Sequence, residues 1–339
     1  MEWNFATTLI GSLPYTDAKL ALDKILGRVT CPAWPQLPAL GYSESMYVQT
    51  GCYISGIDID KEGKKITLNI AENDPTEIYE AILSENIEFF EHPEEYHKGL
   101  YEFLSRDLSG FKAVKGQVTG PISEGLQILG TDGRSAIYDE SYSEIIRRTV
   151  NMAAKWQSRE LSKHNENVIM FFDEPSLSLL GTPFASISND QAAEWMNESM
   201  ECVECFKAIH CCGNTDWSTV LRTDIDILSF DAYAYANTIS MFSDDVSSFL
   251  ERGGTLSWGL IPSTDDNVET ESVNSLVNRF KEDVNALVRK GMDEDLIARR
   301  SMITPQCGLG GLSEDNVDKV LNMLGGVSRS LKEHYGVGE

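Results

Sequence analysis

Ile209-His210-Cys211-Cys212-Gly213-Asn214-Thr215 is an apolar run that ends in a histidine, two cysteines and small, turn-forming residues. Near the other end of the chain, Ser301 to Thr304 runs into Pro305-Gln306-Cys307-Gly308-Leu309-Gly310 in the same way. Residues i and i+2 of an extended strand face the same side, so His210 and Cys212 point together and Cys211 points away. In a barrel of parallel strands, the ends of different strands meet at one mouth. There Cys307 would join His210 and Cys212.

Working outward, the same pattern recurs along the chain. Ala6–Ile10 stops at Gly11-Ser12-Leu13-Pro14, and Val114–Val118 stops at Thr119-Gly120-Pro121. Val168–Phe172 stops at Asp173-Glu174-Pro175, Ile225–Phe230 at Asp231, and Thr255–Leu260 at Ile261-Pro262-Ser263-Thr264. Amphipathic stretches lie between these runs: 17–26, 143–162, 192–206, 273–290 and 314–331. The strand–helix alternation predicts an α/β fold, a single (β/α)8 TIM barrel. Seven strands are legible. An eighth is expected in the irregular stretch 49–104, read as an insertion near the barrel mouth, with a hairpin over 53–70 turning at Glu62-Gly63 and a helix over 81–104. Without a repeat or a linker, residues 1–339 read as one catalytic domain.

The chain has 339 residues, 42% of them hydrophobic, and a formal net charge of −25. Such a surface repels nucleic acid and anionic membranes, so neither is expected as a partner. No leader-like segment opens the sequence, and seven cysteines is an odd number. Reduced thiols in a cytoplasmic protein are the expectation.

Histidine nitrogen and two thiolates form a donor set suited to Zn²⁺, and an open fourth position marks a catalytic site. Asp231, ending the next strand, is the oxygen candidate for that position. The competing reading is that the thiols simply pack as small hydrophobes. That reading is preferred for Cys31 and Cys52, and for Cys202 and Cys205 inside a helical run. His92, His97, His164 and His334 sit in charged surroundings and read as solvated. Asp173 reads either as a pocket carboxylate or as part of a helix N-terminus. Gln117 and Thr119 read as pocket lining or as a structural turn.

Taken in order, Thr7-Thr8-Leu9-Ile10-Gly11-Ser12-Leu13-Pro14, Lys115-Gly116-Gln117-Val118-Thr119-Gly120-Pro121, Asp173-Glu174-Pro175, His210-x-Cys212 and Cys307-Gly308 resemble the C-terminal catalytic barrel of cobalamin-independent methionine synthase. The likeness spans almost the whole chain. The His-Cys-Cys-Gly-Asn stretch also resembles the wider superfamily of uroporphyrinogen decarboxylases and corrinoid-dependent methyltransferases. The resemblance implies a Zn²⁺-dependent methyltransferase that converts L-homocysteine to methionine. By position it puts the metal on His210, Cys212 and Cys307, and on Asp231 where the family has glutamate. It also implies that Ile10, Gly11 and Ser12 bind homocysteine through their backbone, with Gln117 nearby, and that Asp173 holds the ammonium group. The resemblance covers the catalytic barrel alone, so the family's N-terminal folate-binding barrel is not expected here, and no histidine lies in 259–264 to protonate a folate. A methylated corrinoid protein, or methylcobalamin, is the implied methyl donor. Other readings are methyl transfer to another thiol such as coenzyme M, a uroporphyrinogen-type decarboxylase, and a non-catalytic corrinoid-protein binding module. The decarboxylase reading is disfavoured because no arginine precedes Arg28.

Overall fold

The computed structural model describes residues 1–338. Seven parallel strands form one curled sheet: β1 (Ala6–Thr7), β2 (Val114–Thr119), β3 (Val168–Asp173), β4 (Phe206–Cys211), β5 (Ile227–Phe230), β6 (Thr255–Ile261) and β7 (Ser301–Pro305). Their order across the sheet is β1-β7-β6-β5-β4-β3-β2, with every pairing parallel. These are the seven strands expected from the sequence.

The gap between β1 and β2 is filled from a different place than expected. Residues 31–36 run between them. Cys31 N donates to Thr7 O, Lys115 N to Pro32 O, Trp34 N to Lys115 O, and Gln36 N to Gly11 O. Ala33 bridges Lys115 and Ser12 bridges Gln36, both in parallel sense. This segment therefore occupies the eighth stave, which the sequence reading had put within 49–104. Pro32 and Pro35 supply no N–H to a ladder, so regular pairing is impossible and the stave reads as a loop.

The stretch 49–104 does hold the expected hairpin: Ile57–Asp60 pairs antiparallel with Lys65–Leu68. Its helical part is broken into Thr76–Leu83 and Lys98–Leu104, with 3-10 turns between. Glu85 has a positive φ of 51° and Pro93 lacks a donor, so no continuous helix can pass.

Burial follows the two faces of each strand. Ala6, Ile169, Phe171, Ala208, Ile227 and Met302 pack together inside the barrel. Val114, Met170, Phe172, Ile209, Leu228, Leu256 and Ile303 face the surrounding helices. Among those helices are α1 (Ala18–Ile25), α2 (Pro121–Gln127), α3 (Glu140–Ser162), α4 (Asn189–Met200), α5 (Ala232–Ile239), α6 (Val273–Val288) and α7 (Glu314–Tyr335). Asp139 caps α3 by accepting from Ser141 N and Tyr142 N, and Ser188 caps α4 through Gln191 N. The α4 helix ends at Met200, so Cys202 and Cys205 lie in the turn before β4 and not in a helix. No described helix is long and apolar enough to cross a membrane.

Candidate metal and substrate site

Following the inward face of each strand toward its C-terminal end gives the site. On β4 the series is Ala208, His210, Cys212; on β3 it is Ile169, Phe171, Asp173; on β2 it is Lys115, Gln117, Thr119. The register places Asp173 beside His210 and Thr119 beside Asp173. The pairing of β7 with β6 shifts between Thr304 and Pro305, an irregularity that sits just before Cys307. One ligand atom each from His210, Cys212 and Cys307 lie within 4.8 Å of one another. Four ligands around zinc, at about 2.0–2.3 Å from the ion, stand roughly 3.3–3.8 Å apart, so small side-chain adjustments suffice.

Two further observations bear on metal binding. His210 Nδ1 lies 3.0 Å from Ser229 Oγ, which orients the ring. His210 Nε2 is buried and has no hydrogen-bond partner. A buried ring nitrogen left without a partner is costly unless something takes that position. The thiols are also coupled: a hydrogen bond from Cys212, then the nearby His210, pull the Cys307 thiol down to about 4, and Cys212 rises correspondingly. The residues fit a zinc ion.

Asp231 stands beside this trio and does not join it. Its Oδ1 accepts from Ala234 N at 2.8 Å, capping α5, and its Oδ2 accepts from Gln306 Nε2 at 3.3 Å. Burial pushes its carboxyl up to about 6.

The trio opens into a cavity of about 610 Å³. Its walls include Ile10, Ser12, Gln36, Tyr42, Tyr47 and Asp173 beside the three candidate ligands. Lys64, at the turn of the hairpin, is the one lysine or arginine on the described lining. Asp173 is buried, and its Oδ1 has no partner. Burial raises its carboxyl, while the nearby Lys115 ammonium opposes the rise. Glu174, the next residue, has a different task. It accepts from Ile122 N at 2.9 Å and from Ser123 N and Oγ at 2.8 and 2.6 Å, so it caps α2 from a neighbouring loop. Gly120 permits this, because a Cβ there would fall 2.4 Å from the Glu174 carboxyl.

Gly11 has φ +150°, and a Cβ there would lie 2.9 Å from Gln117 Nε2 and 3.0 Å from Gln36 Oε1. Gln117 is therefore beneath the loop, with its Nε2 donating to Trp34 O, and it is not on the cavity lining. Thr119 is likewise engaged elsewhere: its Oγ1 donates to Met46 O and its backbone N to Thr50 Oγ1. The amides of Ile10, Gly11 and Ser12 donate to no acceptor among the described residues.

The segment Trp34 to Pro38 reads from sequence as either shaping the mouth or simply packing, and its Gln36, on the eighth stave, reaches the cavity. One residue escaped sequence reasoning. Lys115 lies wholly buried beneath the cavity, its Nζ donating to Ile10 O at 2.7 Å. The in-phase spacing of Lys115 with Gln117 was the available signal. His92 and His97, expected to be solvated, are buried instead: His92 stacks on Trp156 and His97, and lies 2.8 Å from Gln157 Nε2.

The structure is thus a barrel in which an imidazole and two cysteine sulfurs meet at the floor of an open cavity. No protein-family model matches the chain, and no curated protein matches it by sequence. Similarity appears among solved structures. A B12-independent methionine synthase from Shewanella sp. W3-18-1, in complex with selenomethionine, superposes with a TM-score of 0.60 at 14% identity, covering 97% of this chain and 98% of that one. A putative vitamin-B12 independent methionine synthase from Listeria monocytogenes gives 0.56 at 12% identity, covering 96% and 87%. The chain has the fold of these barrels over nearly its whole length.

Proposed function

We propose that the protein is a zinc-dependent methyltransferase that moves a methyl group from a methylated corrinoid, carried by a partner protein or supplied as methylcobalamin, to the thiol of L-homocysteine. The convergence of His210, Cys212 and Cys307 on one cavity carries this reading.

A free thiol has a pKa of about 8.5 and is mostly protonated, hence a poor nucleophile, near pH 7. Zinc held by His210, Cys212 and Cys307 would supply a Lewis acid that keeps the acceptor sulfur deprotonated. Cys212 and Cys307 contribute negative charge that preserves the nucleophilicity of that sulfur. Asp173, with its unpartnered Oδ1 in the cavity wall, takes the acceptor's ammonium group. The unengaged amides at Ile10–Ser12 take its carboxylate. A sulfonate thiol, without an ammonium group, would meet Asp173 as a like charge, which favours homocysteine over coenzyme M.

The donor follows from what the cavity lacks. A folate amine is a poor leaving group and needs a proton, and 259–264 holds no histidine to give one. A polyglutamate tail also needs cationic partners, and Lys64 alone offers one on the described lining. Corrinoid cobalt leaves without protonation. The test is methyl transfer to homocysteine with methylcobalamin and methyl-folate compared as donors. Activity with the corrinoid that is lost on chelation is expected. Activity that persists without metal, or only with folate, refutes the proposal.

A further inference from the structure

Lys115 is the one wholly buried lysine among the described residues, and methyl transfer as set out above does not use it. It projects from β2 into the barrel, where its Nζ sits 4.1 Å from the centre of the Phe171 ring. It donates to Ile10 O at 2.7 Å and to Gln117 Oε1 at 3.0 Å. Placing an ammonium inside a barrel is costly unless charge or hydrogen bonds compensate. Two acceptors and an aromatic face surround it here; burial pushes the ammonium down to about 7, and the nearby Asp173 carboxylate opposes that fall.

Its contact with Ile10 O has a specific consequence. The Ile10 carbonyl and the Gly11 N–H belong to one peptide unit. A cation on the oxygen polarises that unit and makes the N–H a stronger donor. Lys115 therefore sits directly under the loop whose amides are unengaged, while Asp173 stands in the cavity wall at the end of β3. The two poles have the signs of an amino-acid zwitterion: positive at the loop, negative at Asp173.

We propose that Lys115 is a positioning residue for the acceptor's carboxylate, acting through the Ile10–Gly11 peptide, so that the site selects thiols carrying an α-carboxylate. This rests on the reading of Ile10–Ser12 and Asp173 as the amino-acid subsite. It adds a residue and a selection rule to that subsite.

The experiment uses zinc-loaded full-length protein and Lys115→Met, which keeps the chain length and removes the charge. Acceptors are L-homocysteine, 3-aminopropane-1-thiol (no carboxylate) and 4-mercaptobutanoate (no ammonium). KM for homocysteine and for 4-mercaptobutanoate is expected to rise at least tenfold in the variant. The KM for 3-aminopropane-1-thiol should stay within twofold, with kcat little changed. Equal effects on all three acceptors would show a merely structural lysine and overturn the proposal. Should Lys115→Met fail to fold, Lys115→Gln, which can still donate to Ile10 O, decides the same comparison. Wild-type protein alone also bears on it: homocysteinamide, with a neutral amide in place of the carboxylate, must show at least a tenfold higher KM than homocysteine, and equal values overturn it. If the wild type methylates no thiol, the functional reading fails. Calorimetric binding of homocysteine and of homocysteinamide to the two proteins then still decides the role of Lys115.

Discussion

Replacing Gly11 by alanine tests whether the first loop is held rigidly over the barrel. At φ +150° an L-residue is strained by about 1–3 kcal/mol. The new methyl would also lie 2.9 Å from Gln117 Nε2, 3.0 Å from Gln36 Oε1 and 3.1 Å from Gln117 Cδ. Neither amide can swing away freely. Gln117 donates to Trp34 O and accepts from Lys115, and Gln36 donates to Gln49 Oε1. Giving up one or two of these bonds costs about 1 kcal/mol each. Strain and lost bonds together predict a destabilisation of about 2–5 kcal/mol, shared between folding and substrate binding. Urea denaturation of Gly11→Ala beside the parent, with homocysteine calorimetry on both, measures the two shares. A total loss below about 1 kcal/mol, with binding unchanged, would mean that the loop is soft and that the amide arrangement is not what binds substrate.

Three further outcomes are expected. Glu174→Ala leaves the Ile122 and Ser123 amides of α2 without their acceptor, so stability should fall by about 2–4 kcal/mol in urea unfolding while zinc content is unchanged. His97, pulled down to about 4 by burial, stays neutral in the folded chain while the unfolded chain protonates near 6.5. Stability should therefore fall by about 3 kcal/mol as pH drops from 6.5 to 4, and His97→Phe should remove that share of the slope; identical slopes would refute it. Asp231→Asn keeps an oxygen to cap α5, so bound zinc should drop far less than in Cys307→Ser. Equal loss of metal in the two variants would make Asp231 a ligand.

The strand ends were legible because polar residues follow each buried run, and buried parallel strands read as continuous apolar stretches. Seven of the staves have that form. The eighth, 31–36, did not, because its prolines break the ladder and its pairing uses isolated bonds. The His-x-Cys spacing made the convergence of His210 and Cys212 readable from the period of a strand. Cys307 was placed by the same reasoning, although a register shift precedes it.

Other residues were misplaced for identifiable reasons. His92 and His97 lie among Glu91, Glu94 and Glu95, which reads as surface, yet Tyr53, Gln157 and Trp156 enclose His92, and Trp34 and His92 pack against His97. Gln117 shares the inward face with Lys115 but is claimed by Trp34 O, a partner more than eighty positions away that local pattern cannot reveal. Lys115 is likewise claimed by Ile10 O, an acceptor about a hundred positions away that local pattern cannot reveal.

Zinc K-edge absorption spectroscopy on protein purified with its metal asks most directly what gathers around these side chains. One ion per chain is expected, with two sulfurs near about 2.3 Å and at least one nitrogen or oxygen near about 2.0–2.1 Å, and with one sulfur fewer in Cys307→Ser. A chain that takes up no zinc, or whose zinc shell contains no sulfur, would contradict the account.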